Sequence, residues 1–249
     1  MTSIDMNADL GEGDPCDAEL LTIVSSCNIA CGGHTGDETS MRETIIAAIA
    51  NNVAVGAHPS YPDRDGFGRR KRFLDGPALS SSLVEQISAL CTISAEEGTT
   101  ITHVKPHGAL YNDAVIDSAL ADIVVQASKE AAPDAAFVGA PGSELEKAAT
   151  REALHFVAEA FIDRAYLDNG QLVPRSEAGA VHNSIETIAA QAISLALNQK
   201  VESCSGAIID VVADTLCIHG DTAGAADAAR AVRSALEQRG VKVCAVGRR

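Results

Sequence analysis

Tryptophan is absent and Phe, Tyr and Trp together make up 3% of the 249 residues, so Ala, Ile and Val must carry the core. Basic residues are scarce as well. Nineteen Lys and Arg against 34 Asp and Glu leave a formal net charge of −15. Such a surface has no Lys/Arg stripe with which to neutralise phosphates, which excludes a nucleic-acid partner. No apolar run approaches the roughly 18 residues that a membrane span requires. The opening Ile4-Asp5-Met6-Asn7-Ala8-Asp9 lacks the basic start and apolar block of a signal peptide, and a cytoplasmic location with no membrane partner is expected. A Gly-x-Ser-x-Gly elbow is missing, which argues against a serine-hydrolase triad. Gly11 and Gly13 match neither the dinucleotide fingerprint nor a P-loop. The seven cysteines are odd in number and irregularly spaced, as reduced thiols in a cytosolic protein would be. Cys27, Cys31 and His34 lack a CxxC pair and a fourth ligand, so structural zinc is not expected there.

What is present is a recurring unit: a short apolar run, a polar loop, then an Ala-rich amphipathic stretch. With 46% hydrophobic and 21% charged residues a sizeable core can form. Strands are expected near 3–8, 24–30, 53–57, 100–104, 135–139, 155–160, 207–212, 214–218 and 241–245. Helices are expected near 38–51, 78–97, 115–131, 143–150, 184–200 and 223–239. Asp37 or Thr39 suits the N-cap of the first helix, Asp221 or Thr222 that of the last, and Gly98 and Gly240 suit left-handed C-terminal positions. Strands alternating with helices imply parallel βαβ units, and seven or eight of them close into a barrel at this length. The expected fold is therefore an α/β barrel, one domain over residues 1–249.

Four histidines each close an apolar run and are followed at once by a turn: His34, His58, His107 and His219. Strand ends that break into Gly or Pro are where α/β proteins place their chemistry. Period-two alternation puts Asp5, Asn7 and Asp9 on one strand face, His103, Lys105 and His107 on another, and Thr215, Cys217, His219 and Asp221 on a third. Both-sided burial in an open parallel sheet would instead give continuous apolar runs, so these faces point to a lumen that turns polar at its mouth. Asp9 and Glu12 crowd carboxylates beside a Gly-rich turn, where a cation or a shared proton would relieve them. The imidazoles can serve as metal ligands, bases or oxyanion donors. Lys105 either holds a substrate anion or pairs with Asp5 or Asp9 inside the barrel. Arg164 and Arg175 either form an anion fork or pair with Glu159 or Asp163. Arg69-Arg70-Lys71-Arg72 reads as a solvated loop or as an anion or partner contact.

Taken in order, these segments resemble the LamB/YcsF family, whose members are known as the A components of ATP-hydrolysing 5-oxoprolinase. The likeness is carried by Asp5-Met-Asn7-Ala-Asp9-Leu-Gly11-Glu12-Gly13, by Asn28-Ile-Ala-Cys31-Gly-Gly-His34-Thr-Gly36-Asp37, and by Val55-Gly-Ala-His58-Pro-Ser-Tyr-Pro-Asp63. It continues through Gly66-Phe-Gly-Arg69-Arg70, Val104-Lys105-Pro-His107-Gly-Ala-Leu-Tyr111-Asn112, Phe161-Ile-Asp163-Arg164-Ala-Tyr166, Leu172-Val-Pro-Arg175-Ser176 and Thr215-Leu-Cys-Ile-His219-Gly-Asp221. One position departs: Gly33 stands where Phe is expected.

The resemblance implies a seven-stranded barrel akin to the glycoside hydrolase/deacetylase folds. It also implies ATP-dependent opening of 5-oxo-L-proline to L-glutamate, shared with partner subunits B and C and with Mg accompanying ATP. On that reading Asp9, Glu12, His58, Lys105, His107 and His219 are catalytic candidates. Asn28, His34, Asp37, Tyr111, Arg164, Arg175 and Asp221 are candidates for substrate binding. A fixed metal is left open, its candidate ligands being Asp9, His34, His58 and His107. The rival readings are a stand-alone metal-dependent deacetylase or amidohydrolase, and a carbohydrate- or lactam-binding protein without catalysis.

Overall fold

A computed structural model describes residues 2–221 and 224–246. The strands are β1 (Ser3–Leu10), β2 (Ser26–Ala30), β3 (Ala54–His58), β4 (His103–Val104), β5 (Ala136–Gly139), β6 (Phe156–Phe161), β7 (Lys200–Glu202), β8 (Ile208–Asp210), β9 (Thr215–Ile218) and β10 (Lys242–Val243). The helices are α1 (Asp17–Leu20), α2 (Glu38–Ala50), α3 (Gly76–Glu96), α4 (Gly108–Ile116), α5 (Ser118–Ala131), α6 (Glu144–Arg151), α7 (Ile185–Asn198) and α8 (Ala225–Gln238). The order β1-β2-β3-β4-β5-β6-β9, closed by β9 on β1, makes a seven-stranded parallel barrel. The expected architecture is borne out. β10 pairs with β1 only at Ser3 and Ile4, below the point where β9 begins at Asp5.

Both faces of the barrel strands are buried, but they bury different chemistry. In β1, Ile4, Met6, Ala8 and Leu10 belong to the apolar core, whereas Asp5, Asn7 and Asp9 make hydrogen bonds to polar side chains across the lumen. The helices cover the outer face with buried positions at helical spacing, such as the apolar Ala121, Val124 and Val125 of α5. Among the described residues no helix is long and apolar enough to cross a membrane.

Several local expectations are corrected. The stretch 115–131 is two helices, because Asp117 is extended and its carboxylate caps Ala119 and Leu120 of α5, while α4 starts directly after His107. Strand 207–212 is not a barrel stave. Ile208 and Asp210 of β8 are exposed, and β8 pairs antiparallel with β7. A strand without two buried faces cannot sit in a helix-covered barrel wall. Asp37 rather than Thr39 caps α2, in a capping box with Ser40. Gly224 precedes α8 without a side-chain cap, so Asp221 does not cap it, and Thr222 lies outside the described residues. Gly98 and Gly240 are left-handed, as expected.

Gly56 of β3 makes room for a lumen side chain: a Cβ there would overlap the imidazole of His103. Overpacking a well-filled core costs about 1–3 kcal/mol. Gly56→Ala should lower the urea-unfolding midpoint accordingly, and an unchanged midpoint would mean that His103 is free to move aside.

Candidate active site

The lumen is polar over its whole height. At its lower end the Asp5 carboxylate accepts hydrogen bonds from Ser25 (2.6 Å), Ser26 (2.7 Å) and Thr215 (2.6 Å), and burial raises its pKa. A cavity of about 10 Å³, one water in size, lies between Asp5, Asn7, Asn28 and His103. Above it, the Asn28 amide nitrogen donates to Asn7 Oδ1 and to Asp9 Oδ1, each at 2.8 Å. That leaves Asn28 Oδ1 as an acceptor, which receives the Nε2–H of His103 at 2.8 Å. Burial draws the His103 pKa down to about 3, so the ring is neutral and its donor nitrogen is set by Asn28.

Lys105 projects from the end of β4 into the middle of this network. Its Nζ lies 2.9 Å from Asp9 Oδ1, 2.7 Å from Glu159 Oε1 and 3.2 Å from Cys217 Sγ. Burial opposes its charge, but Asp9, Cys217 and Glu159 outweigh burial and hold its pKa well above the usual value. Asp9 is likewise disfavoured by burial, yet His58 and Lys105 keep it well below the usual carboxylate range. Of the two alternatives for Lys105 the structure shows the pairing inside the barrel, with Asp9 and not Asp5, and the side chain also lines the mouth.

At the C-terminal rim Glu12, His34, His58 and His107 meet. Glu12 Oε1 is 2.8 Å from His34 Nε2 and 3.3 Å from His107 Nδ1, and His58 Nε2 is 3.3 Å from Asp9 Oδ2. The His34 and His107 rings stack at 3.6 Å. Burial lowers the pKa of both rings to about 3 and raises that of Glu12. Asp9 and Glu12 are thus driven apart, the pattern by which neighbouring carboxylates take different proton-transfer roles. On the opposite wall Asp163 Oδ2 accepts from His219 Nδ1 at 2.8 Å, leaving Nε2 as the ring's other nitrogen. These groups open into a cleft of about 1410 Å³ that Tyr111, Phe161, Arg175 and Asp221 also line.

The similarities to known proteins fit this geometry. The LamB/YcsF family profile matches residues 4–249. The chain belongs to the LamB/YcsF family. It is similar to the crystal structure of a lactam utilization protein from Thermus thermophilus, at 43% identity and a TM-score of 0.92, with 98% of this chain and 99% of that chain covered. A family 4 carbohydrate esterase from Streptomyces lividans shares the fold at 11% identity, TM-score 0.54, covering 99% of this chain and 93% of that one. An endoxylanase from Clostridium papyrosolvens does so at 7% identity, TM-score 0.52, covering 94% and 71%.

Within this LamB/YcsF barrel the expected site residues divide. Asp9, Glu12, His58, Lys105, His107 and His219 come together, and Tyr111, Arg164, Arg175 and Asp221 line the same cleft. Asp37 does not join them, because its side chain accepts from Ser40 N as a helix cap. Asn28 is fully buried and His34 sits behind Glu12, so both position other side chains. Arg164 turns its guanidinium to the carbonyls of Ala180 and Val173, since it is buried among loop backbone, and Arg175 pairs with Asp221 rather than with Glu159 or Asp163. Of the basic run, Arg70 and Arg72 hold the buried Asp63 carboxylate, and Arg69 crosses the mouth to Asp221 at 2.9 Å. The Gly33 departure is local. A Cβ there would overlap Gln86 Oε1, and Gln86 clamps the backbone of Ser60 with two 3.0 Å hydrogen bonds.

Glu159 was not singled out from the sequence as a site residue, and His103 was placed on the inward face of its strand without a role. The signal for Glu159 is available in principle: it is a polar residue on the inward alternation of a strand whose neighbours are apolar.

His103 carries a pH prediction. Its folded pKa of about 3 lies below its ordinary 6.5, so the unfolded chain binds the proton first. Its contribution is therefore intact above pH 6.5 and is lost progressively as pH falls toward 3. His103→Gln should flatten the stability slope in that window by up to about 1.4 kcal/mol per pH unit. Urea midpoints measured across the window check this, and an identical slope would refute it.

Proposed function

We propose that this LamB/YcsF protein opens the ring of 5-oxo-L-proline to give L-glutamate, as the A component of an ATP-coupled enzyme with partners B and C. The observation that carries the reading is one strand-end mouth where Lys105, the ionised Asp9, Glu12 with its pKa raised by burial, and the Asp163–His219 pair face a common cleft. Membership of the family, and similarity to a protein described as acting in lactam utilization, support a cyclic amide as the substrate. A cytoplasmic location accords with this role.

A five-membered lactam is a poor electrophile, which is why the opening is coupled to ATP. Transfer of the terminal phosphoryl group to the lactam oxygen, releasing ADP, weakens the amide resonance. Lys105 supplies positive charge beside that oxygen. Water then adds to the ring carbon, with Glu12 taking its proton. The carbon–nitrogen bond breaks as His219, oriented by Asp163, protonates the departing nitrogen. A second water releases phosphate from the acyl phosphate, so two waters are consumed for one glutamate, one ADP and one phosphate. Arg69 and Arg175 stand at the rim, both on Asp221, where a substrate carboxylate can exchange with that partner. ATP, with Mg as its companion cation, belongs to the assembled complex in this reading.

Removing a positioned general base typically costs 10²–10⁴-fold in rate. Reconstituted with B and C, the wild-type chain should release glutamate from 5-oxoproline and ATP, and Glu12→Gln should lower kcat by roughly 10²-fold or more on that basis. Absence of glutamate from the wild-type complex would overturn the proposal. Cleavage of an acyclic amide without ATP would place the chain in the stand-alone amidohydrolase class instead.

A further inference from the structure

The two imidazoles at the centre of the mouth have their protons committed elsewhere. His58 Nδ1 lies 2.8 Å from the carbonyl oxygen of Lys105, and His107 Nε2 lies 3.0 Å from that of Phe67. A carbonyl oxygen only accepts, so each of these nitrogens is an N–H. With one proton on each ring, His58 Nε2 and His107 Nδ1 then turn bare lone pairs toward each other across 3.0 Å. Asp9 Oδ2 stands 3.3 Å from the first, and Glu12 Oε1 stands 3.3 Å from the second. His34 offers no proton to the gap, because its Nε2–H is directed at Glu12. Lone pairs and carboxylate oxygens so close together repel unless a cation lies among them.

The spacing fits a metal ion. Ligand atoms about 2.0–2.2 Å from one ion, at angles between a right angle and the tetrahedral value, stand roughly 3.0–3.5 Å apart. The His58–His107 and His58–Asp9 separations, 3.0 and 3.3 Å, fall in that range. Glu12 Oε1 is within it for His107 Nδ1, at 3.3 Å, but outside it for His58 Nε2, at 4.0 Å, and reads as a neighbour of the open side. The outer partners match as well, since a metal-bound histidine ordinarily donates its second N–H to a carbonyl or carboxylate. The donor set of two nitrogens and one carboxylate oxygen suits zinc-class ions over Mg or Ca.

We propose that Asp9 Oδ2, His58 Nε2 and His107 Nδ1 hold one divalent ion of the zinc class, with an open coordination position facing Glu12 and the cleft. The assignment stands on the donor geometry and is independent of the lactam reading. The competing cation is a proton shared between the two rings.

The test uses the full chain, stripped with a chelator and dialysed. Zn²⁺ is titrated by calorimetry, and Co²⁺ by its visible d–d absorption. One saturable equivalent is expected, with affinity falling about 100-fold or more in His107→Gln and Asp9→Asn, both checked for folding by circular dichroism. Cys204→Ser, which removes an exposed thiol, should leave binding unchanged. No saturable equivalent in the wild-type chain, or binding that survives both ligand substitutions, would overturn the site in favour of the shared proton. Stoichiometric binding without lactam turnover would keep the site and sink the lactam reading.

Discussion

A buried ammonium group must be surrounded by opposite charge, and Lys105 imposes that demand on the interior of the barrel. It reaches Asp9 from β1, Glu159 from β6 and Cys217 from β9, so one side chain draws several strands toward a common centre. Breaking such a pair by removing one partner typically costs about 3–5 kcal/mol, because the remaining charge is left uncompensated. Much of the lumen follows from that pairing. Asp9 stays ionised, Asn28 turns its amide nitrogen toward Asp9, and His103 must then be neutral with its proton on Nε2.

The rim depends on a second constraint, the close approach of backbone to imidazole. The loop after β3 lies against the mouth, with Phe67 O accepting from His107 and Gly68 O accepting from Ala109 N. Gly68 and Gly108 are both left-handed. A Cβ at Gly68 would meet His107 and His34 at 2.8 Å, and one at Gly108 would meet Gly68 O at 2.8 Å. The carbonyls of Lys105 and Phe67 then fix which nitrogen of His58 and of His107 bears the proton. Arg69 continues the same loop across the mouth to Asp221, tying the β3 side of the rim to the β9 side.

Much of the fold was legible because two periods coexist in the chain. Apolar runs of four to six residues alternate with helical patterns, and the inward polar alternation of β1, β4 and β9 distinguishes a barrel lumen from an open parallel sheet. The misjudged elements are those whose assignment depends on company. β8 has a strand's composition but pairs with β7 outside the barrel, and Asp117 splits one apolar stretch into two helices through its side-chain cap. In the site, the strand-end histidines were visible through the turns that follow them. Asp37 carried the same sequence cue as its neighbours, yet its carboxylate is taken by the first turn of α2.

The sequence by itself determined the barrel class, the strand-end placement of Asp9, His58, Lys105, His107 and His219, and membership of the LamB/YcsF family. Each of these is encoded locally, in periodicity, punctuation or motif. Tertiary structure alone decided which charges neutralise one another and which ring nitrogens are bare. Lys105 lies 54 positions from Glu159, and His58 lies 49 from His107, so only the pairing and curvature of the barrel strands bring each pair within 3.0 Å. Proton placement is a property of neighbours in space. It turned four turn-punctuated histidines into one supporting ring, one Asp-oriented ring and two rings whose second nitrogens face each other.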